Sequence, residues 1–239
     1  SPFYGWIIHY ADYLPVMDGI ENNIQKLEKL VADGYSILVF PEGTRSADCS
    51  ILRFHQGAFY LADKLHLDIV PIVVHGIGHT FPKKEFLLRK GSITIQIGER
   101  ISPDNFYFRK NKTILETMRL ARQWYKESYN RMVAELETPD YYKDLVLYNY
   151  VYKGRQIEKH ARKILKTNRN FAEEISKLPN EGTYYINNCG QGEFALLAAL
   201  VKKELHIVAT DSDSEKLALA RNCTSIPKNL TYIDFTEEG

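Results

Sequence analysis

Between residues 42 and 46 the chain presents a carboxylate, a guanidinium and two hydroxyls: Glu42, Arg45, Thr44 and Ser46. They belong to the stretch Phe40-Pro41-Glu42-Gly43-Thr44-Arg45-Ser46. A guanidinium is the planar fork of donors that grips phosphate or carboxylate. Gly43 permits tight turning and close approach of a ligand to the backbone. A second concentration of chemistry is the glycine turn Cys189-Gly190-Gln191-Gly192, followed by the acid Asp211. Glycines in such a turn let a nucleotide approach the backbone, and an acid after the next strand can hold a ribose. A third is the pair His75 and His79. Two histidines rarely make a metal site, and with no third ligand suggested nearby we assign no metal.

The elements that must position these residues follow from the spacing of apolar side chains. Ser36-Ile37-Leu38-Val39 is an apolar run that predicts a buried strand, and Pro41 stops it because it has no N–H for a ladder. Ile20, Ile24, Leu27 and Val31 predict a helix over 19–33, with Gly34 at its C-terminal cap. A short helix is predicted from Gly57 to Leu65 and a strand from Ile69 to Val74, interrupted by Pro71. Ile114, Met118, Ala121, Tyr125, Met132 and Leu136 predict a long helix over 113–136, and Thr138-Pro139-Asp140 punctuates its end. A domain boundary is expected there. The tyrosine-rich residues 141–152 are expected to form a connector, followed by helices over 153–166 and 171–178. Strands are then predicted at 183–187, 205–210 and 230–235. An apolar helix is predicted from Phe194 to Val201, and another from Ser214, as cap, to Arg221.

The heptapeptide FPEGTRS resembles the signature of the glycerolipid acyltransferases, the family that includes 1-acylglycerol-3-phosphate acyltransferase. Downstream, Phe54-His55-Gln56-Gly57-Ala58-Phe59, Ile69-Val70-Pro71-Ile72-Val73-Val74 and Gly91–Gly98 resemble that family's later blocks in order. The resemblance covers roughly the first 100 residues. It implies transfer of a fatty acyl group from acyl-CoA or an acyl-carrier protein to a hydroxyl of a lipid-like acceptor, with no cofactor. Arg45 would contact the acceptor's anionic headgroup, Glu42 and Gly43 would hold the loop beside Thr44, and Gly57 and Pro71 would help shape the substrate site. The block that often carries a phosphate-holding arginine is Ala11-Asp12-Tyr13-Leu14-Pro15-Val16 here, without one.

Acyl transfer to a hydroxyl needs a base for the proton and donors for the oxyanion. In this family the base is a histidine followed, after four residues, by an aspartate. His9, His55, His66, His75, His79 and His160 have no such aspartate. His206 and Asp211 have the spacing, but they lie on a predicted strand, where residues five apart face opposite sides at roughly 16 Å. The base is therefore expected in sequence upstream of Ser1, and the chain is expected to be part of a longer polypeptide with other domains.

From residue 181 the order strand, glycine turn, helix, strand, acid resembles the start of an S-adenosylmethionine-dependent methyltransferase domain. By that resemblance Gly190, Gly192 and Asp211 would contact S-adenosylmethionine. Asn188 stands where the turn's first glycine is usual, and Ile186 where an acid is usual. The expected fold is thus α/β: an acyltransferase-type mixed sheet flanked by helices over 1–138, a helical connector over 139–180, and a partial doubly wound, Rossmann-like unit over 181–239. A non-catalytic lipid- or partner-binding scaffold is the alternative function, and a methyltransferase a second alternative.

A hydrophobic fraction of 44% supports a real core, and a net charge of +1 carries no bulk attraction to nucleic acid. Three cysteines without paired spacing, Cys49, Cys189 and Cys223, fit reduced thiols. No run approaches the length of a transmembrane helix. The aromatic stretch 3–16 is expected as core, or as a surface that meets acyl chains or membrane. Lys83, Lys84, Arg89 and Lys90 predict a solvated basic loop, or one that meets anionic headgroups. The resemblance implies a cytoplasmic protein, peripheral at the inner face of a membrane.

Overall fold

The computed structural model describes residues 23–83, 88–102, 113–167 and 170–234. The aromatic stretch 3–16, the start of the helix expected over 19–33, and Lys84 lie outside the described residues. Contacts divide the chain into two units, Ser1–Val73 with Ile95–Glu127, and Val74–Thr94 with Ser128–Gly239. This division differs from the expected boundary at residue 138.

In the first unit, α1 (Ile24–Ala32) buries Leu27 and ends with Gly34 N–H on the Val31 carbonyl. Residues 36–40, expected as a buried strand, form none. Leu38 and Phe40 are 72% and 67% exposed. An apolar run becomes a strand only where a neighbouring strand accepts its N–H and C=O groups, and none pairs with it among the described residues. The core lies instead on α2 (Gly57–Lys64) and the first half of a later long helix. Phe54, Phe59 and Met118 are its buried centre, flanked by Ile51, Ile69, Ala121 and Tyr125. The strand expected over 69–74 is shorter, beginning after Pro71. β1 (Ile72–His75) pairs with β2 (Thr94–Ile97), and Ile69 makes an isolated antiparallel bridge to Ile101. Pro71 keeps a carbonyl for the Gly98 N–H, at 2.8 Å.

The second unit holds the larger core. The short helix α3 (Ile77–Thr80) follows β1. The long helix α4 (Ile114–Leu136), begun in the first unit, ends in this one. Thr138-Pro139-Asp140, expected only to end that helix, opens α5 (Pro139–Tyr148): Thr138 is its N-cap, accepting the Tyr141 N–H, and proline takes the first helical position. The expected tyrosine connector is therefore a core element, with Tyr142, Val146 and Tyr150 at 1% exposure or less. α6 (Arg155–Thr167) and α7 (Phe171–Lys177) follow.

β3 (Gly182–Ile186), β4 (Leu205–Ala209) and β5 (Leu230–Tyr232) form a parallel sheet in that order, with Ile186 opposite Ala209 and Ile207 opposite Leu230. Parallel neighbours require crossovers, and helices supply them. α8 (Glu193–Val201) joins β3 to β4, and α9 (Ser214–Arg221) joins β4 to β5. α8 is apolar all round after Glu193 and is buried along Ala195–Ala199, as a helix covered on every side must be. Asp213, not the expected Ser214, caps α9, accepting from the Glu215 and Lys216 N–H groups. In the expected basic loop, Arg89 is buried over the Tyr148 ring and Lys90 pairs with Asp144, so these two cations face the protein's own side chains.

A buried ionic knot ties this unit together. The Glu137 carboxylate, its side chain 4% exposed, accepts from Lys203 Nζ at 2.5 Å, His75 Nε2 at 2.9 Å and the Tyr142 hydroxyl. Beside it, His79 Nδ1 meets the Tyr141 hydroxyl at 2.8 Å. His75 and His79 are thus part of an aromatic and ionic cluster. Burial pushes the Glu137 carboxyl up, but the Lys203, Tyr142 and His75 hydrogen bonds outweigh it and hold it below the ordinary value. Its contribution is therefore present above the ordinary carboxylate pKa and is lost as pH falls through the lowered one. Glu137→Ala strands a buried partner set and is expected to cost about 3 kcal/mol in urea unfolding at pH 7. The difference from wild type should shrink as the pH is lowered through the carboxylate range.

Candidate functional site

The FPEGTRS loop is a tight turn held from inside. The Phe40 carbonyl accepts the Gly43 N–H at 3.0 Å, with Pro41 at the second turn position, where its fixed φ is favoured. Gly43 has φ +65, and a Cβ there would stand 3.3 Å from the His55 ring. The turn and the following FHQG block are therefore in close contact. Two further bonds close the loop: the His55 N–H donates to the Pro41 carbonyl at 2.7 Å, and Glu42 Oε2 accepts the Leu52 N–H at 2.7 Å. Arg122 on α4 donates from Nε to the Leu52 carbonyl at 2.7 Å and from Nη2 to the Ile51 carbonyl at 3.2 Å. Phe54 anchors the base of the loop, edge-on to Tyr125 at 5.2 Å, and the Tyr125 hydroxyl accepts the Ile72 N–H at 3.1 Å.

Of the expected substrate-binding residues, Glu42 is half-buried and turned onto Leu52, whereas Gly43, Thr44 and Arg45 are exposed. Gly57 begins α2, and Pro71 is buried against Gly98, where a Cβ would come within 2.9 Å of its ring and 2.7 Å of Trp124. Sequence reading missed Arg122. Its signal was a cation beside Met118, Ala121 and Tyr125 on an otherwise apolar helix face.

The second constellation is the turn between β3 and α8. Asn188 takes the left-handed conformation, φ 57, in the place of the usual glycine. The Cys189 N–H donates to the Thr210 carbonyl at 2.9 Å, and the Tyr150 hydroxyl donates to the Gln191 carbonyl at 2.8 Å. Asp211 is spent on the backbone: Oδ2 accepts the Gly190 N–H at 2.7 Å and Oδ1 accepts the Asp213 N–H at 2.9 Å. Gly192 must lack a side chain, since a Cβ would lie 2.5 Å from the Tyr232 hydroxyl. Over Gly190 the space is open.

A cavity of about 360 Å³ lies beside this turn, lined by His160, Phe171, Asn188, Gln191, Glu193 and Lys216 among others. Burial pushes the Cys189 thiol up to about 11, with Asp211 adding to the effect, so the thiol is protonated at neutral pH. Burial likewise raises the Glu193 carboxyl above its ordinary value. Glu193 and His160 were not expected from sequence. The signal for Glu193 was one charge at the start of a wholly apolar helix.

The sequence model of the family described as Acyltransferase matches residues 1–75. A 1-acyl-sn-glycerol-3-phosphate acyltransferase of Chlamydomonas reinhardtii is 42% identical over 82 residues, 34% of this chain and 25% of that protein. 1-Acyl-sn-glycerol-3-phosphate acyltransferase beta of Homo sapiens is 34% identical over 31% of this chain and 27% of its own length. The Saccharomyces cerevisiae 1-acyl-sn-glycerol-3-phosphate acyltransferase is 31% identical over 44% and 37%. The matched segments thus span between a quarter and about two fifths of these curated relatives. The solved structure of the 1-acyl-sn-glycerophosphate acyltransferase PlsC from Thermotoga maritima is 27% identical, covering 56% of this chain and 51% of its own, at a TM-score of 0.40. The N-terminal part of the chain is accordingly similar to glycerolipid acyltransferases.

Two substitutions check this geometry. Glu42→Ala leaves the Leu52 N–H without its charged acceptor and is expected to cost about 2 kcal/mol in denaturant unfolding. Asn188→Gly relieves a left-handed residue and is expected to raise stability by up to about 1 kcal/mol.

Proposed function

We propose that the acyltransferase-like part moves a fatty acyl group from acyl-CoA or an acyl-carrier protein to a hydroxyl of a glycerolipid-like acceptor. The observation that carries this reading is the internally stapled FPEGTRS turn, in a segment similar to 1-acyl-sn-glycerol-3-phosphate acyltransferases, with Arg45 on its exposed side. Glu42 and Gly43 hold the loop, and Arg45 pairs with the acceptor's anionic headgroup. Gly57 and Pro71 set the elements that border the substrate. The reaction needs a general base for the acceptor hydroxyl. That base takes the acceptor hydroxyl proton as the oxygen attacks the thioester carbonyl. The tetrahedral intermediate then expels the thiolate, which leaves as the thiol on taking up the proton. A lipid acceptor places this chemistry at a membrane surface, peripheral at the inner face. None of the described helices is long and apolar enough to cross a membrane.

A second reading concerns residues 181–239. Three parallel strands in sequence order, a glycine turn after the first and a cavity beside that turn favour the start of a Rossmann-like, S-adenosylmethionine-binding unit. The open space over Gly190 and the close packing of Gly192 fit a nucleotide lying against the turn. Asp211 fits less directly: it is 7% exposed with both oxygens on backbone N–H groups, although each keeps a second lone pair. Bound here, S-adenosylmethionine would supply a methyl group. Gly190, Gln191 and Asn188 would shape its cradle.

In the full-length protein, Arg45→Ala should raise the KM for a phosphorylated acceptor at least tenfold, since one charge-assisted contact is lost. Arg45→Lys should recover part of it. Absence of acyl transfer by the full-length protein across a panel of thioesters and lipid acceptors would refute the enzyme reading.

A further inference from the structure

Among the described residues, five buried side-chain polar atoms have no hydrogen-bond partner: His75 Nδ1, Gln191 Oε1, Glu193 Oε1, Thr210 Oγ1 and the Tyr232 hydroxyl. Four of these five lie on or around the glycine turn. Thr210 bonds to the turn through its carbonyl, and the Tyr232 hydroxyl packs on Gly192. Gln191 and Glu193 line the cavity itself. Protein interiors rarely leave such groups unmet, and two of them, on Gln191 and Glu193, belong to residues that line one cavity, where a ligand could complete them.

Glu193 is the most informative. The residue is 5% exposed, and Oε1 has no partner, although His160 lines the same cavity. Lys216 also reaches the cavity, but its ammonium pairs with Asp213 at 3.1 Å. Asp211, the next carboxylate, is satisfied by backbone donors. Glu193 stands at the first position of α8, where the helix dipole favours negative charge. The end of the helix that would otherwise attract a phosphate is therefore already filled by a carboxylate, which repels an anion and attracts a cation.

We propose that Glu193 is the counter-ion for a positively charged ligand in this cavity, so that the site takes a sulfonium-bearing nucleoside in preference to its neutral thioether. The proposal rests on the nucleotide-binding reading of this unit. Gln191, whose carbonyl is held by Tyr150, offers its side-chain oxygen as a second acceptor on the same wall. With the cation bound, the unmet Oε1 of this carboxylate gains a charged partner.

The test is calorimetric titration of the full 239-residue chain with S-adenosylmethionine, S-adenosylhomocysteine and adenosine, beside Glu193→Gln and Glu193→Asp. Wild type should prefer the sulfonium to the thioether by about tenfold, the size of one charge-assisted contact. Glu193→Gln should bring that ratio to about one, and Glu193→Asp should keep part of it. Melting should show Glu193→Gln folded, at or above the wild-type midpoint, because a buried carboxylate with one unmet oxygen has been neutralised. Equal wild-type affinity for sulfonium and thioether would overturn the counter-ion role and leave the nucleotide reading standing. A preference that survives Glu193→Gln would also overturn it. No binding of any adenosyl compound would remove the nucleotide reading and this inference together.

Discussion

The bond from the Leu52 N–H to the Glu42 carboxylate decides what the FPEGTRS loop can do. A loop of this composition has many accessible conformations, and ordering each residue costs entropy. The carboxylate offsets that cost by reaching across the loop to a backbone donor ten residues on. Arg122 then grips the adjoining carbonyls of Ile51 and Leu52, so that both strands of the loop are tied to one helix. With Glu42 turned inward, the charge left on the exposed side of the motif belongs to Arg45.

The same device recurs at the glycine turn. Both oxygens of Asp211 receive backbone N–H groups, from Gly190 and Asp213. The turn is further pinned by Tyr150, whose hydroxyl holds the Gln191 carbonyl from the end of α5. This explains why the tyrosine-rich segment is buried. It is the support of the turn, and its apolar faces, Tyr142 and Val146, are the floor under α8.

Helices and their order were legible in the sequence because their signals are local. The 113–136 helix, the short helix at Gly57 and the alternation of strand and helix after residue 181 all rest on periodicity and punctuation. Two readings failed where the deciding term is nonlocal. Ile37-Leu38-Val39-Phe40 has strand composition, but a strand exists only with a partner. Thr138-Pro139 is a helix stop and a helix start alike, and only the packing of Tyr142 and Val146 selects the second. Within the sites, the residues with motif identity could be named in advance. Arg122 and Glu193 could not, because their importance lies in which atoms they face.

The carboxylates of this chain sort by what they touch, and that sorting separates framework from function. Glu42 has a backbone N–H, Asp211 has two, and Glu137 has an ammonium, an imidazole and a phenol. Each is an acceptor satisfied by the protein's own donors, and removing any of them should chiefly loosen the fold. Glu193 is a buried residue and has an oxygen that nothing meets. Burial raises its carboxyl above the ordinary value, so the fold grows less stable as pH rises from the ordinary carboxylate pKa to the raised one, the reverse of Glu137. Stability alone gives no reason to keep a carboxylate at that position. A cation arriving in the cavity does, since the same low-dielectric surroundings that penalise the lone charge strengthen its attraction to a partner.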